Sequence, residues 1–389
     1  MTQIKIEARS RDLLKAFSTL SAAIPSNPLV PMYGYVKIDV YKSSKKIFLT
    51  SSDSRLTVKV FLEAGSVEIL SEETSFTVPF DDTSKLLKSL PDAPISMGYE
   101  HEGINFTVKI LSQTQEYVLA AEDARDFPVI SQGGKDSFQI DAGQLKEGIG
   151  YLKDLVPPSK ETEFKPFLAG IYFDFKPKYL TLVGFDGNMS LGIFETDVES
   201  AGFDSFTLPL RAVSLLYGVL SNSSDPVGFT LSAKQVSVEY GNICVTASLM
   251  EGSYPLYRSE VTPEPRLTAT VDLEAWKPAL TRAMIFSDST REALHAFQED
   301  FMFISSEDPM LSKKSMQDIP LEDMEGEPLE ILVNGDKLLK LLAAVGGSAR
   351  VEIKKAFAGA KVESMYIFPE VVKGRSTLLF LMPIVRNNY

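Results

Sequence analysis

The sequence predicts an α+β chain made of three similar domains in tandem, each with two helices on one face of antiparallel sheet. The same order of segments recurs three times along the 389 residues, at intervals of about 130. Between the recurring helices, apolar and polar residues alternate in short runs, as half-buried strands require. A unit of this size is a domain and not a solenoid repeat.

The first recurring segment joins an alternating strand to an amphipathic helix, at residues 4–24, 138–156 and 267–287. Leu13, Leu145 and Trp276 hold equivalent places in it. The second is a short strand running straight into a helix: Phe76-Thr-Val-Pro-Phe80, Phe206-Thr-Leu-Pro-Leu210 and Ile331-Leu-Val-Asn-Gly335. Pro79 and Pro209 suit that junction, because a proline has no N–H to leave unpaired at a strand end or helix entry. The third is a strand ending in a turn at Asp53 and Asp186, with an echo at Glu307. Further alternating strands are expected at 58–61, 104–110, 117–120, 236–240, 243–248 and 351–354. Joints fall in the turn-rich stretches 131–135 and 262–265, which gives domains at 1–130, 136–258 and 266–389. The acidic run 322–325 with Glu327 reads as a solvated loop.

Composition narrows the function. Lys+Arg 39 against Asp+Glu 52 leaves a net charge of -13, so the whole molecule repels phosphate and any nucleic-acid contact must be local. One cysteine excludes an internal disulfide framework and a multi-cysteine zinc site, and two histidines leave little for proton shuttling or metal binding. No cofactor and no metal are called for. No phosphate-binding loop, dinucleotide loop, zinc-protease helix or nucleophile elbow occurs. Asp186-Gly-Asn188 faintly suggests a calcium loop but lacks the later ligands, so a plain turn is expected. A hydrolase using two carboxylates remains open on composition alone. The N-terminus lacks a signal-peptide core and no stretch has the length of a membrane span, which reads as a cytoplasmic protein.

The acid is segregated away from the expected helices, which carry Lys15, Lys85, Lys88, Lys146, Lys153, Arg211, Lys277, Arg282, Lys337 and Lys340. Equivalent helices from three domains along one surface would make it mildly basic, suited to weak, sequence-independent phosphate contact.

Four further motifs carry a resemblance. They are Asn27-Pro-Leu-Val-Pro-Met32, Phe185-Asp-Gly187, Gly252-Ser-Tyr-Pro-Leu-Tyr-Arg258 and Leu381-Met-Pro-Ile384. In this order on a threefold repeat, they resemble the bacterial-type DNA polymerase sliding clamp, the beta processivity subunit of DNA polymerase III. The resemblance implies a non-enzymatic ring: two chains head to tail around duplex DNA, helices inside and sheets outside, tethering the replicative polymerase. The implied partners are duplex DNA, a second copy, the polymerase catalytic subunit, a clamp loader and other replication and repair proteins.

It also implies a dimer contact through edge strands, placing Tyr117 and Leu119 against Ile285 and Phe286. A pocket for partner peptides is implied at Phe185, Gly187, Pro255, Phe380, Met382, Pro383 and Ile384. Departures from the family pattern are Asn188-Met-Ser190 for His-Arg-Leu, Ser259-Glu260 for Arg-Val, Lys337 for Tyr, Val385 for Arg and Asn27 for a loop Arg. The peptide preferred by this pocket therefore stays open. So does an adaptor that binds peptides without encircling DNA.

Overall fold

The computed structural model describes residues 4–68, 73–102, 105–128, 130, 133–134, 136–158, 161–176, 179–199, 203–257, 264–355, 360–370 and 376–385. Most of the stretch 131–135, the residues 262–263, and Arg258, Ser259 and Glu260 lie outside the described residues.

The first repeat runs β1 (Ile4–Arg9), α1 (Ser10–Leu20), β2 (Tyr35–Tyr41), β3 (Lys46–Ser52), β4 (Leu56–Glu63), β5 (Ser66–Glu68), β6 (Glu73–Pro79), α2 (Phe80–Ser89), β7 (Pro94–Glu102), β8 (Asn105–Ser112) and β9 (Gln115–Ala121). The second runs β10 (Asp136–Asp141), α3 (Ala142–Leu152), β11 (Gly170–Phe175), β12 (Leu180–Phe185), β13 (Ser190–Glu195), β14 (Phe206–Pro209), α4 (Leu210–Val219), β15 (Pro226–Leu231), β16 (Gln235–Tyr240) and β17 (Ile243–Ser248). The third runs β18 (Leu267–Asp272), α5 (Leu273–Met284), β19 (Glu292–Phe297), β20 (Phe301–Asp308), β21 (Lys313–Gly326), β22 (Leu329–Asn334), α6 (Gly335–Leu342), β23 (Ser348–Lys355), β24 (Glu363–Pro369) and β25 (Thr377–Leu381).

The helices form where the sequence spaces its apolar residues for one face. In α1, Leu13, Phe17 and Leu20 are buried, and Phe17 stacks on Phe80 at 5.8 Å. In α5, Trp276, Leu280 and Met284 are buried, and the Asp272 side chain caps the helix by accepting the Glu274 N–H at 2.9 Å. Asn334, which stands where the other repeats have proline, caps α6 by accepting the Lys337 N–H at 3.0 Å. No described helix is long and apolar enough to cross a membrane.

Two compact units gather these elements. One holds residues 1–142 and 214–249, with a five-stranded sheet in the order β5-β1-β7-β8-β9 and an eight-stranded sheet in the order β10-β15-β16-β17-β4-β3-β2-β6. The other holds residues 143–213 and 250–389, with one twelve-stranded sheet in the order β14-β11-β12-β13-β25-β24-β23-β18-β21-β20-β19-β22.

The same wiring appears in each repeat. One four-strand order is β1-β7-β8-β9, then β10-β15-β16-β17, then β18-β23-β24-β25. The other is β4-β3-β2-β6, then β13-β12-β11-β14, then β21-β20-β19-β22. Strand pairing also joins repeats: β17 of the second pairs with β4 of the first, and β25 of the third pairs with β13 of the second. Among the described residues, β9 is paired only on its β8 side, and residues 313–320 of β21 only on their β20 side.

One expectation is corrected here. Residues 322–325 are not a loop but part of β21, where Thr268 lies opposite Glu325 and Ala269 opposite Met324. Strand pairing with β18 satisfies their backbone while the carboxylates point to solvent, an arrangement that local acidity does not reveal.

Candidate functional site

The β12–β13 turn borders the expected pocket. Asp186 ends β12, and its Oδ1 accepts the N–H groups of Asn188, Met189 and Ser190 at 2.8–2.9 Å, the plain turn expected from its sequence. Gly187 takes φ +81°, a left-handed conformation that other residues adopt at a cost. The other Asp186 oxygen, Oδ2, receives Lys337 Nζ from α6 at 2.5 Å. Burial alone would push the Asp186 carboxyl up, but Lys337 and the three amides overcome it and hold the group below the ordinary carboxylate range.

The last described residues lie beside that turn. β25 lies beside β13 with Phe380 opposite Leu191, then Met382 N–H donates to Met189 O at 2.9 Å. Two residues on, Ile384 N–H donates to Leu332 O of β22 at 2.7 Å. Turn, tail and the β22–α6 junction are thus tied to one another by three hydrogen bonds.

The floor is apolar. Val183, Leu191 and Ile193 form a buried cluster against which Tyr172, Phe185, Tyr254, Tyr257, Leu378 and Phe380 pack. Tyr172 and Tyr254 stack at 4.2 Å, and the Tyr257 hydroxyl donates to Asp174. Among the described residues the buried Tyr254 hydroxyl has no hydrogen-bond partner, and burial pushes its pKa well above the usual phenol value.

All seven expected pocket residues lie in one unit and all are half-buried, as surface apolar groups around a shallow site are. Phe185 and Phe380 share the apolar cluster, and Gly187 belongs to the turn that Met382 grips. Pro255 adjoins Tyr254. A separate cavity of about 760 Å³ is lined by Pro383 and Ile384 together with other apolar residues and with charged groups such as Arg266, Glu292, Lys314 and Glu330. It is a different surface from this apolar floor. Sequence reasoning did not assign Asp186, Tyr254 or Tyr257 to the site, although all three stand inside the motifs that signalled it, and it named Lys337 both as a departure bearing on the pocket and among the DNA-facing residues.

The basic helix residues divide into two groups. Lys15, Lys88, Arg211 and Lys340 are exposed. Lys85 is exposed beside Asp82 at 3.9 Å, and Lys153 pairs with Asp154 at 2.7 Å. Half-buried Lys146 is less open. Lys277 donates to the Val345 carbonyl at 2.5 Å, Arg282 Nε to Gln317 of β21 at 2.8 Å, and Lys337 to the pocket turn. These last three are committed to holding elements together.

Of the expected dimer residues, two lie on an open strand edge and two follow helix α5. Tyr117 and Leu119 sit half-exposed on β9. Ile285, at the C-terminal end of α5, is 69% exposed, and Phe286 beside it is half-buried. The Gln317 amide donates to the Ala279 carbonyl at 2.9 Å, fastening α5 to the half of β21 that has a free edge. Met316, 63% exposed on that half, was missed by sequence reasoning.

Comparison with known proteins decides the family. The model of the DNA polymerase III beta subunit N-terminal domain matches residues 3–131, and that of the central domain matches 155–256, together well over half of the chain. The chain belongs to the DNA polymerase III beta subunit family. A beta sliding clamp of Halalkalibacterium halodurans is 23% identical over 353 residues, covering 88% of this chain and 90% of that protein. The crystal structure of the Bacillus subtilis sliding clamp superposes with a TM-score of 0.85 at 21% identity, over 99% of this chain and 100% of that one. A Pseudomonas aeruginosa sliding clamp bound to griselimycin gives a TM-score of 0.85 at 19% identity, over 98% and 100%. As a member of this family the chain is a DNA sliding clamp, a processivity factor and not a catalyst.

Proposed function

We propose that two copies of this clamp close head to tail into a ring around duplex DNA and hold the replicative polymerase through the apolar pocket. The observation that carries the ring is the pair of joints between repeats. In both, the last strand of one four-strand set pairs with the first strand of the other in the repeat before it. Val245 lies opposite Val58 in one joint, and Leu379 opposite Gly192 in the other.

These positions are equivalent by their own pairings. The chains Phe138–Phe229–Val238–Val245 and Ala269–Val351–Ile367–Leu379 correspond to Ile6–Met97–Ile110–Tyr117. Val58 and Gly192 correspond to Met316, each opposite the residue two before Asp53, Asp186 and Glu307. Applied to the two open edges, the same register sets Tyr117 of one copy opposite Met316 of the next, and Val118 opposite Ser315. In that register Glu116 falls opposite Gln317 and Leu119 opposite Lys314, so backbone pairing joins the two edges. Closing them removes both unpaired strands.

Inside such a ring, Lys15, Lys85, Lys88, Lys146, Lys153, Arg211, Lys277, Arg282 and Lys340 are the proposed DNA-side residues, with the exposed ones contributing most, while Lys337 leaves that set because its ammonium is committed to Asp186. A ring holds DNA by enclosure, so few phosphate contacts suffice and sliding is preserved. The proposed domains are 1–130, 136–258 and 266–389, the clamp loader of the same genome opens the ring, and the protein works in the cytoplasm. The test is retention: loaded by its clamp loader onto nicked circular DNA, the clamp co-elutes with the DNA and is released when a single cut makes the DNA linear. Equal behaviour on circular and linear DNA rejects the ring in favour of a peptide-binding adaptor.

A further inference from the structure

We infer that Lys337 is a positioning residue for partner binding: its ion pair with Asp186 holds the 186–190 turn in the shape that receives the partner's peptide. The inference rests on the pocket reading above and adds a role that the neighbouring apolar residues do not have.

Three segments distant in sequence meet at this site. The turn touches the tail through Met382, the tail touches β22 through Ile384, and Lys337 joins the third side, from α6 back to the turn. Its side chain is 30% exposed and that of Asp186 16%, so water screens the pair less than it would a surface contact. Helix α6 is itself fixed: Asn334 caps it, and Asp336 receives Arg291 in a two-pronged contact at 2.7 and 2.8 Å. Lys337 therefore reaches the turn from a rigid base.

The turn needs that support. Gly187 has the freedom that its left-handed backbone requires, and Asn188 is exposed. A turn ordered before binding spares the complex the entropy of ordering it, and so raises affinity without a new contact to the ligand. Lys337 brings the countercharge that lets the Asp186 carboxylate sit beside an apolar floor.

The test measures binding of the replicative polymerase catalytic subunit from the same genome to immobilised clamp by biolayer interferometry. Lys337→Met should weaken binding roughly fivefold at a temperature where both proteins are fully folded, with dimer size unchanged and the melting temperature lowered by the loss of the ion pair. It should also speed hydrogen exchange at the amides of Asn188, Met189 and Ser190. Lys337→Arg, which keeps the charge, should restore most of both. Lys337→Met binding like the parent, or Lys337→Arg binding no better than Lys337→Met, overturns the inference. The double variant Met382→Ala with Pro383→Ala separates the two claims. If it binds normally, the pocket reading itself fails; if it weakens while Lys337→Met does not, only the role of Lys337 fails.

Discussion

His295 is fully buried on β19, with its Nε2 accepting the indole N–H of Trp276 at 3.1 Å. Burial pushes its pKa down to about 4 from an ordinary 6.5, so the folded ring stays neutral where the unfolded ring takes up a proton. The stabilising difference is fully present above pH 6.5 and is lost as pH falls from there towards 4. Between pH 7.5 and 5 this one group should remove about 2 kcal/mol. Urea midpoints at the two pH values check it, with His295→Gln, which retains an acceptor for Trp276, flattening the difference. A second residue-scale expectation concerns Gly187. A Cβ there would lie 2.8 Å from Leu168 Cδ1 on a backbone at φ +81°. Gly187→Ala should therefore cost about 1–2 kcal/mol and weaken polymerase binding, read by thermal melting and interferometry.

At this scale much was legible. Asp186-Gly-Asn188 reads as a turn because an aspartate before glycine has one favoured local geometry, and that geometry is local in sequence. Lys337 was not legible, because its partner is 151 residues away and a helical lysine looks the same whether it faces DNA, water or a carboxylate.

Among the elements, the helices and most strands follow from periodicity, which is why α1 and α5 fall where Leu13 and Trp276 place them. The acidic end of β21 escaped because a strand whose solvent face is carboxylate differs little from a loop in composition. Around the pocket, Tyr254 packs well and bonds poorly. Among the described residues its hydroxyl lacks a partner where burial makes one valuable. Tyr254→Phe should raise stability by roughly 1 kcal/mol and leave the stack on Tyr172 intact; a lower melting temperature would mean that the hydroxyl has a partner after all. On α5, Ile285 is open to solvent, so a charge there costs the single chain little. Ile285→Asp should give folded monomers by light scattering, and dimers that persist would place the contact elsewhere.

Across the whole molecule, the threefold repeat was readable from self-comparison, but the joints were not. β17 with β4 and β25 with β13 pair strands far apart in sequence, and no local pattern encodes which edge meets which. Those joints supply the register for the contact that remains. In the proposed contact, Val118 and Ser315 of neighbouring copies would stand where Thr246 faces Thr57 and Phe380 faces Leu191. The native Cys244 thiol, raised to about 11 by burial, stays protonated and does not compete.

The direct measurement is oxidation of the Val118→Cys, Ser315→Cys variant loaded on circular DNA, followed by denaturing electrophoresis. Two chains linked at both joints and still threaded on the DNA in detergent are the expected result. Unlinked chains, or linked dimers that detergent strips from an intact circle, would contradict a ring closed by these two strands.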